Sequence, residues 1–403
     1  MPEKILDHRK LYRLPWTLPD NAISWLEPTA MCNLACDGCY RKNTKNSHKT
    51  LEQVKHELDV FQKNRNSDCI SIAGGDPLLH PQIVDIVADI KSRGLKPILN
   101  TNGAALNPAF LNELKKAGVF GFTFHVDSKQ GRGGEWKGKN EIELNKLRYH
   151  YARMLADAGG IACSFNSTVY DDTIQYAPAM IEWAQKNINI VNTMVFICFR
   201  YVVPSMPFDW YSGGQKVDWQ TITYHSDKDR KVDILSTDVL KVVKEKFPDF
   251  IPAAYLNGTE KVDSFKWLLT ERVGTKNKLY GYLGPKFLEL VMTAHHFFNG
   301  TYLSYASPKT SRMGISAMLL LFPFDKGLRK AAANMLKNPF RLFKKAYFQT
   351  IMFIQPVDFM EDGRQSMCDG CPDITVWNDE LVWSCRLEEQ KQFGTFLRSV
   401  QKD

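Results

Sequence analysis

No apolar stretch in this sequence is long enough to cross a bilayer. The longest, "GISAMLLLFPF" at Gly314–Phe324, has eleven residues. A spanning helix needs roughly 20, so an integral membrane protein is not expected. The opening "MPEKILDHRKLYRLPWTL" has no apolar block before its charges, so no secretory signal is expected. Internal repeats and low-complexity tracts are also missing, which sets aside solenoids and disordered arrays. What is present is a 403-residue chain, 44% hydrophobic and 24% charged, enough for one large domain or two smaller ones. Its nine cysteines form two clusters plus scattered singles, unlike a secreted disulfide framework. In a reducing cytosol such clusters more often bind metal, so the expected compartment is cytoplasmic.

The net charge of +8 is uneven. Lys326, Arg329, Lys330, Lys337, Arg341, Lys344 and Lys345 face one acid, Asp325, in a short segment. Leu328, Ala331, Ala332, Met335 and Leu336 give that segment an apolar helical face, and "FRLFKKAYF" after Asn338-Pro339 reads as a second basic-amphipathic helix. Such helices pack on a protein body or lie in an anionic membrane interface. A peripheral contact at the inner membrane face is therefore one expectation, and no nucleic acid partner is expected. "AHHFFNGTYLSYASP" (Ala294–Pro308) either lines an apolar substrate pocket or fills a core.

Through the first half, strand and helix patterns alternate six times. "AISWLEP" precedes a helix capped by Thr50 and Gln53, with Val54, Leu58 and Phe61 on one face. "CISIAGG" leads to a helix with Ile83, Ile86, Val87 and Ile90. "PILNTNG" precedes one with Asn107 as N-cap, Pro108 at its first position and Gly118 after its end. "GFTFHVD", "GIACSFNSTVY" and "IVNTMVFICFRYVV" continue the series. This order predicts parallel strands with right-handed crossovers, an α/β sheet or partial barrel with ligands at the strands' C-terminal ends. The expected divisions are a 1–20 extension, a 21–205 barrel, a 206–355 mixed, partly basic-amphipathic helical region, and a 356–403 unit bearing the second cysteine group.

Each chemical motif follows a strand. Cys32, Cys36 and Cys39 crowd into "CNLACDGC". A four-iron cluster takes one thiolate per iron, so three cysteines leave one iron open. A structural zinc site closes with four ligands, and no histidine lies near in sequence. An open iron–sulfur site, a zinc site completed from afar and unligated thiols all fit the spacing. Gly74-Gly75-Asp76-Pro77 ends the second strand, and alone reads as a turn.

Together these motifs resemble the radical SAM superfamily, over roughly residues 21–205. The resemblance implies a partial (β/α)6 TIM-like barrel, a mainly helical C-terminal extension and a small cysteine-bearing hairpin unit. It implies a 4Fe–4S cluster on Cys32, Cys36 and Cys39 whose open iron chelates S-adenosyl-L-methionine. Reductive cleavage then yields a 5′-deoxyadenosyl radical that abstracts hydrogen. Gly74, Gly75 and Asp76 stand where the family seats the methionine end of its cofactor. Asn100, Thr101 and Asn102 match a strand end facing ribose or carboxylate, and Asp127 with Ser128, Asn166 and Arg200 match later strand ends. His125 is read as a packed barrel histidine or a ligand. The family usually carries an aromatic residue before the third cysteine; here that place is Gly38, and Tyr40 follows instead.

Cys368 and Cys371 form a CxxC, and Cys385 follows a predicted hairpin, "ITVW-NDE-LVWS". This resembles the twitch/SPASM-like auxiliary iron–sulfur regions of the same superfamily, beside redox-dithiol and zinc readings. Cys198, Cys163 or a non-cysteine group would supply a fourth ligand, or one iron stays open toward the substrate, and Cys69 reads as core. The resulting expectation is a radical SAM enzyme acting on an organic substrate, favoured a long-chain or isoprenoid lipid, and reduced by a partner such as flavodoxin or ferredoxin. The alternatives are a peptide-modifying maturase and a zinc-stabilised module for anionic surfaces. No leader-binding or cobalamin-binding domain is expected.

Overall fold

The computed structural model describes residues 6–306, 324–337 and 345–402. Six parallel strands form its centre: β1 (Ile23–Thr29), β2 (Cys69–Gly74), β3 (Lys96–Thr101), β4 (Gly121–His125), β5 (Ala162–Val169) and β6 (Thr193–Cys198). Five helices connect them: α1 (Leu51–Asn64), α2 (Ile83–Ser92), α3 (Pro108–Ala117), α4 (Asn145–Ala158) and α5 (Ala177–Lys186). Local chemistry sets their ends. The Thr50 hydroxyl accepts from Gln53 N, and Gln53 returns the bond to Thr50 N. Asn107 caps α3, and Gly118 closes it in the left-handed region. Val54, Leu58, Phe61, Ile83, Ile86 and Ile90 are buried in the main core, as their helical spacing predicts.

The extension expected to be mainly helical also completes the main sheet. Beside β6 lies β9 (Tyr347–Ile354), parallel to it, and then β7 (Trp267–Thr275), antiparallel to β9. Strand β8 (Lys278–Leu283) pairs with β7, and Ala254–Leu256 and Tyr12–Arg13 finish the far edge. Polar residues inside these strands hid them. Arg272 in β7 is buried, donating to Gln349 Oε1 of β9 and to Ile181 O, each at 2.9 Å. Glu271 accepts from Thr350 Oγ1 at 2.6 Å. The "FRLFKKAYF" helix is corrected: Tyr347 and Phe348 open β9, whose burial alternates every second residue, while residues 340–344 lie outside the described residues. The apolar run at 314–323 lies outside them too.

Helix α7 (Pro285–Asn299) and helix α8 (Lys326–Leu336) follow α6 (Ser236–Lys246). Leu328, Ala331 and Met335 bury α8's apolar face in a core shared with Tyr280 and Leu283 of β8, and its basic residues point outward. Of the aromatic stretch after Ala294, Phe297 and Phe298 are 79% exposed. Tyr305 instead lies beneath the barrel, its hydroxyl 3.4 Å from Thr123 Oγ1 of β4, and Ser304 Oγ donates to Asp68 Oδ2 at 2.6 Å. The expected hairpin forms as β10 (Ile374–Trp377) and β11 (Glu380–Trp383). Asn378 and Asp379 turn it at φ of 49° and 63°, as a tight two-residue turn requires. Among the described residues no helix is long and apolar enough to cross a membrane.

If β9 is a sheet strand, Ile351→Ala removes a side chain that is 1% exposed and costs about 2–5 kcal/mol of stability by denaturant unfolding. A change below about 0.5 kcal/mol, the usual surface value, would contradict this placement.

Candidate active site

The C-terminal ends of β1–β6 open into a cavity of about 1170 Å³. Both cysteine groups face it. Cys32, Cys36 and Cys39 come from the loop after β1, and Cys368, Cys371 and Cys385 from the chain's far end. All nine cysteines are free thiols. The first loop is pinned at its base by Asn43, which accepts from Cys32 N at 3.0 Å and donates to Cys32 O at 2.9 Å. Within it Gly38 sits at φ +82°, with the Phe199 ring 3.0 Å from where a Cβ would be. That conformation and that wall explain why no aromatic side chain stands at 38. Tyr40 lines the cavity and packs edge-on against Tyr224. Burial pushes the Cys32 and Cys36 thiols up; metal must displace their protons.

Gly74, Gly75 and Asp76 lie across from this loop. A Cβ on Gly75 would stand 2.1 Å from Met31 O, and one on Gly74 2.4 Å from Thr29 O. The close approach these glycines permit is thus to the cysteine loop's own backbone, joined by Gly75 N to Thr29 O and Asp76 N to Met31 O, both 2.8 Å. Asp76 is buried, which raises its pKa. Its carboxylate accepts from Thr101 Oγ1 at 2.8 Å, Asn102 N at 2.9 Å and Leu78 N at 3.0 Å. Asn102 Nδ2 donates to Asn33 Oδ1 at 2.7 Å and lies 3.7 Å from Cys32 Sγ. Asn100 also lines the cavity, and its buried Nδ2 has no partner among the described residues. Such an orphan donor costs about 1–3 kcal/mol until a ligand accepts from it.

Asn166 and His125 face the cavity as well. His125 Nε2 is 2.9 Å from Asp127 Oδ2 and 3.2 Å from Thr168 Oγ1. Three sequence candidates do not line this space. Asp127 and Ser128 border a separate pocket of about 350 Å³, and the Asp127 carboxylate also accepts from Lys129 N. Burial alone would raise Asp127, but hydrogen bonds led by His125 hold it below the usual carboxylate range. Arg200 is buried and does not line the cavity, donating to Val357 O and Asp358 Oδ1 at 3.1 and 2.8 Å; β6 ends two residues before it, at Cys198.

The second cysteine group is tied to the barrel by arginines. Arg65 donates to Cys371 O at 2.7 Å and to Ile23 O of β1. Arg41, two residues after Cys39, donates to Ser384 O at 2.6 Å, next to Cys385. Glu27 of β1 receives Arg41 Nε at 2.6 Å and Ser384 Oγ at 3.0 Å. Sequence reading passed over Arg41 and Glu27; the available signal was a carboxylate inside a short strand, Ile23–Thr29. Among further thiols, Cys198 lines the cavity, whereas Cys163 and Cys69 sit in cores. Among the described residues no three His, Cys, Asp or Glu side chains converge to hold one metal ion. A four-iron cluster, by contrast, takes one thiolate on each iron. Three thiols of one loop, glycine turns and an unpartnered Asn100 amide fit such a cluster with a polar ligand beside it.

Residues 26–131 match the family model described as the Radical SAM superfamily. The chain is 31% identical over 106 residues to the tungsten-containing aldehyde ferredoxin oxidoreductase cofactor-modifying protein of Pyrococcus furiosus, covering 26% of this chain and 30% of that one. It is 25% identical over 194 residues to the PqqA peptide cyclase of Xanthomonas campestris pv. campestris, covering 45% and 49%. Among solved structures, S-adenosylmethionine-bound SuiB of Streptococcus suis superposes with a TM-score of 0.39 at 14% identity, covering 57% of this chain and 48% of that one. The chain spans less than half the length of each of these relatives.

The glycine geometry gives a direct test. Gly75→Ala is expected to displace the Cys32 loop and cut the iron and sulfide bound per chain after anaerobic reconstitution at least severalfold. Gly133→Ala, with nothing within 4 Å of its Cβ, is expected to bind as much as the parent. Equal content in both variants would refute this role for the turn.

Proposed function

We propose that this chain, whose residues 26–131 match the Radical SAM superfamily model, is an enzyme that holds a 4Fe–4S cluster on Cys32, Cys36 and Cys39 and S-adenosylmethionine beside it. Cys368, Cys371 and Cys385 would hold an auxiliary iron–sulfur cluster. When bound, the first cluster and S-adenosylmethionine supply a 5′-deoxyadenosyl radical that takes hydrogen from an organic substrate. One observation carries the reading: six cysteines from opposite ends of the chain line one cavity at the strands' C-terminal ends. Its size exceeds the roughly 300–1,000 Å³ of single-ligand pockets, leaving room for cofactor and substrate together.

The chain's own part is to hold and to exclude. Asp76 fixes Thr101 and Asn102 at the cavity edge, and Asn100 offers its free amide to a polar ligand. Ile197, Phe199, Trp267 and Ile354 line the cavity with apolar surface, which keeps water from a reactive intermediate. A low-potential donor such as flavodoxin or ferredoxin would supply electrons.

The favoured substrate is a long-chain or isoprenoid lipid. That choice is supported by the apolar lining, the exposed Phe297 and Phe298, and the outward Lys326 and Lys330 of α8 with Lys337 just after it. Peptide modification is the second reading, favoured by the likeness to a peptide cyclase over 45% of the chain.

Incubation of the reduced, reconstituted protein with S-adenosylmethionine is expected to release 5′-deoxyadenosine. A lipid extract should raise that release, and Cys36→Ala should abolish it. Stimulation by peptides and not by lipids would replace the first substrate reading with the second. Anionic liposomes are expected to float the parent, and Lys330→Glu with Lys337→Glu to weaken flotation several-fold; unchanged flotation would exclude docking through α8.

A further inference from the structure

Arg41 ties together the two loops that carry the cysteine groups. Its backbone N–H lies 3.5 Å from Cys39 Sγ. Its guanidinium crosses to the other group, donating to Ser384 O at 2.6 Å and Ser384 Oγ at 2.8 Å, beside Cys385. The Nε–Nη2 edge of the fork also engages Glu27, with Nε to Oε2 at 2.6 Å and Nη2 to Oε1, so Nη2 is shared between Glu27 and Ser384. Both side chains are nearly out of water, at 8% and 4% exposure. The potential of an iron–sulfur cluster follows nearby charge, hydrogen bonds to its sulfurs and solvent access, and charge acts more strongly where water is excluded.

We propose that Arg41 is a positioning residue that joins the two cysteine groups into one unit and holds positive charge against both clusters, setting their reduction potentials. The inference rests on the cluster reading given above. Arginine suits the task because its planar fork meets a carboxylate and a neighbouring loop at once, which a lysine point charge does not. Glu27 sets the opposing sign. The pair therefore works as a fixed dipole whose positive end lies at the loop carrying Cys39 and at the residue before Cys385.

The test is a redox titration, followed by electron paramagnetic resonance, of the reconstituted full chain and its Arg41→Gln and Glu27→Gln variants. All three are expected to carry the same iron and sulfide. Both cluster potentials should fall in Arg41→Gln, because the reduced cluster loses a stabilising cation, and rise in Glu27→Gln. Potentials unmoved in both variants would overturn the proposal while leaving the cluster reading intact. If Arg41→Gln does not fold, Glu27→Gln decides alone: a rise supports the role and no rise refutes it. A parent chain that takes up no iron would overturn this inference and the cluster reading together.

Discussion

A buried carboxylate and a buried guanidinium hold this cavity together. Removing two charges from water is costly, and the cost is offset only when the remaining hydrogen-bond capacity is filled. Here it is filled. Glu27 receives Arg41, Ser384 Oγ and, at 3.1 Å, Trp25 Nε1. Burial would raise the Glu27 pKa, but Arg41 more than offsets this and holds it below its usual value. Breaking such a pair from one side typically costs about 3–5 kcal/mol. The pair joins β1 and the adjacent first cysteine loop to the loop before Cys385, 343 residues on from Arg41.

Around that tie, the cavity has two characters. Its strand-end side is polar and almost fully paired, with Asp76 accepting from Thr101 and Asn102 while Asn102 reaches the cysteine loop. The unpaired Asn100 amide stands within it. The walls from the end of β6, the start of β7 and the end of β9 are apolar, with Ile197, Phe199 just after β6, Trp267 and Ile354. Fixed dipoles and water-excluding surface in one cavity suit chemistry that must orient a charged cofactor and shelter a radical.

Much of the architecture was legible because it is encoded locally. Thr50 with Gln53, Asn107 with Pro108 and Gly118, and the spacing of Ile83, Ile86 and Ile90 each specify an element without distant help. The strands β7 and β9 were not legible. Their buried Arg272 and Gln349 and half-buried Glu271 look like surface residues until the sheet pairs them with one another or with β9 and α5. The site divides in the same way. Cysteine spacing and the glycine turn marked residues that the fold brings to one cavity, whereas Arg200 was assigned by strand position and faces Asp358 instead. Arg41 and Glu27 escaped notice because a buried ion pair is a property of two segments, and neither residue signals its partner.

Tyr305 and Ser304 close the barrel's underside, with the tyrosine hydroxyl against the Thr123 side chain that also lines the cavity. The stretch after α7 thus meets the cavity wall through the Thr123 side chain, and a shorter residue in place of Tyr305 would leave the Thr123 hydroxyl without this neighbour.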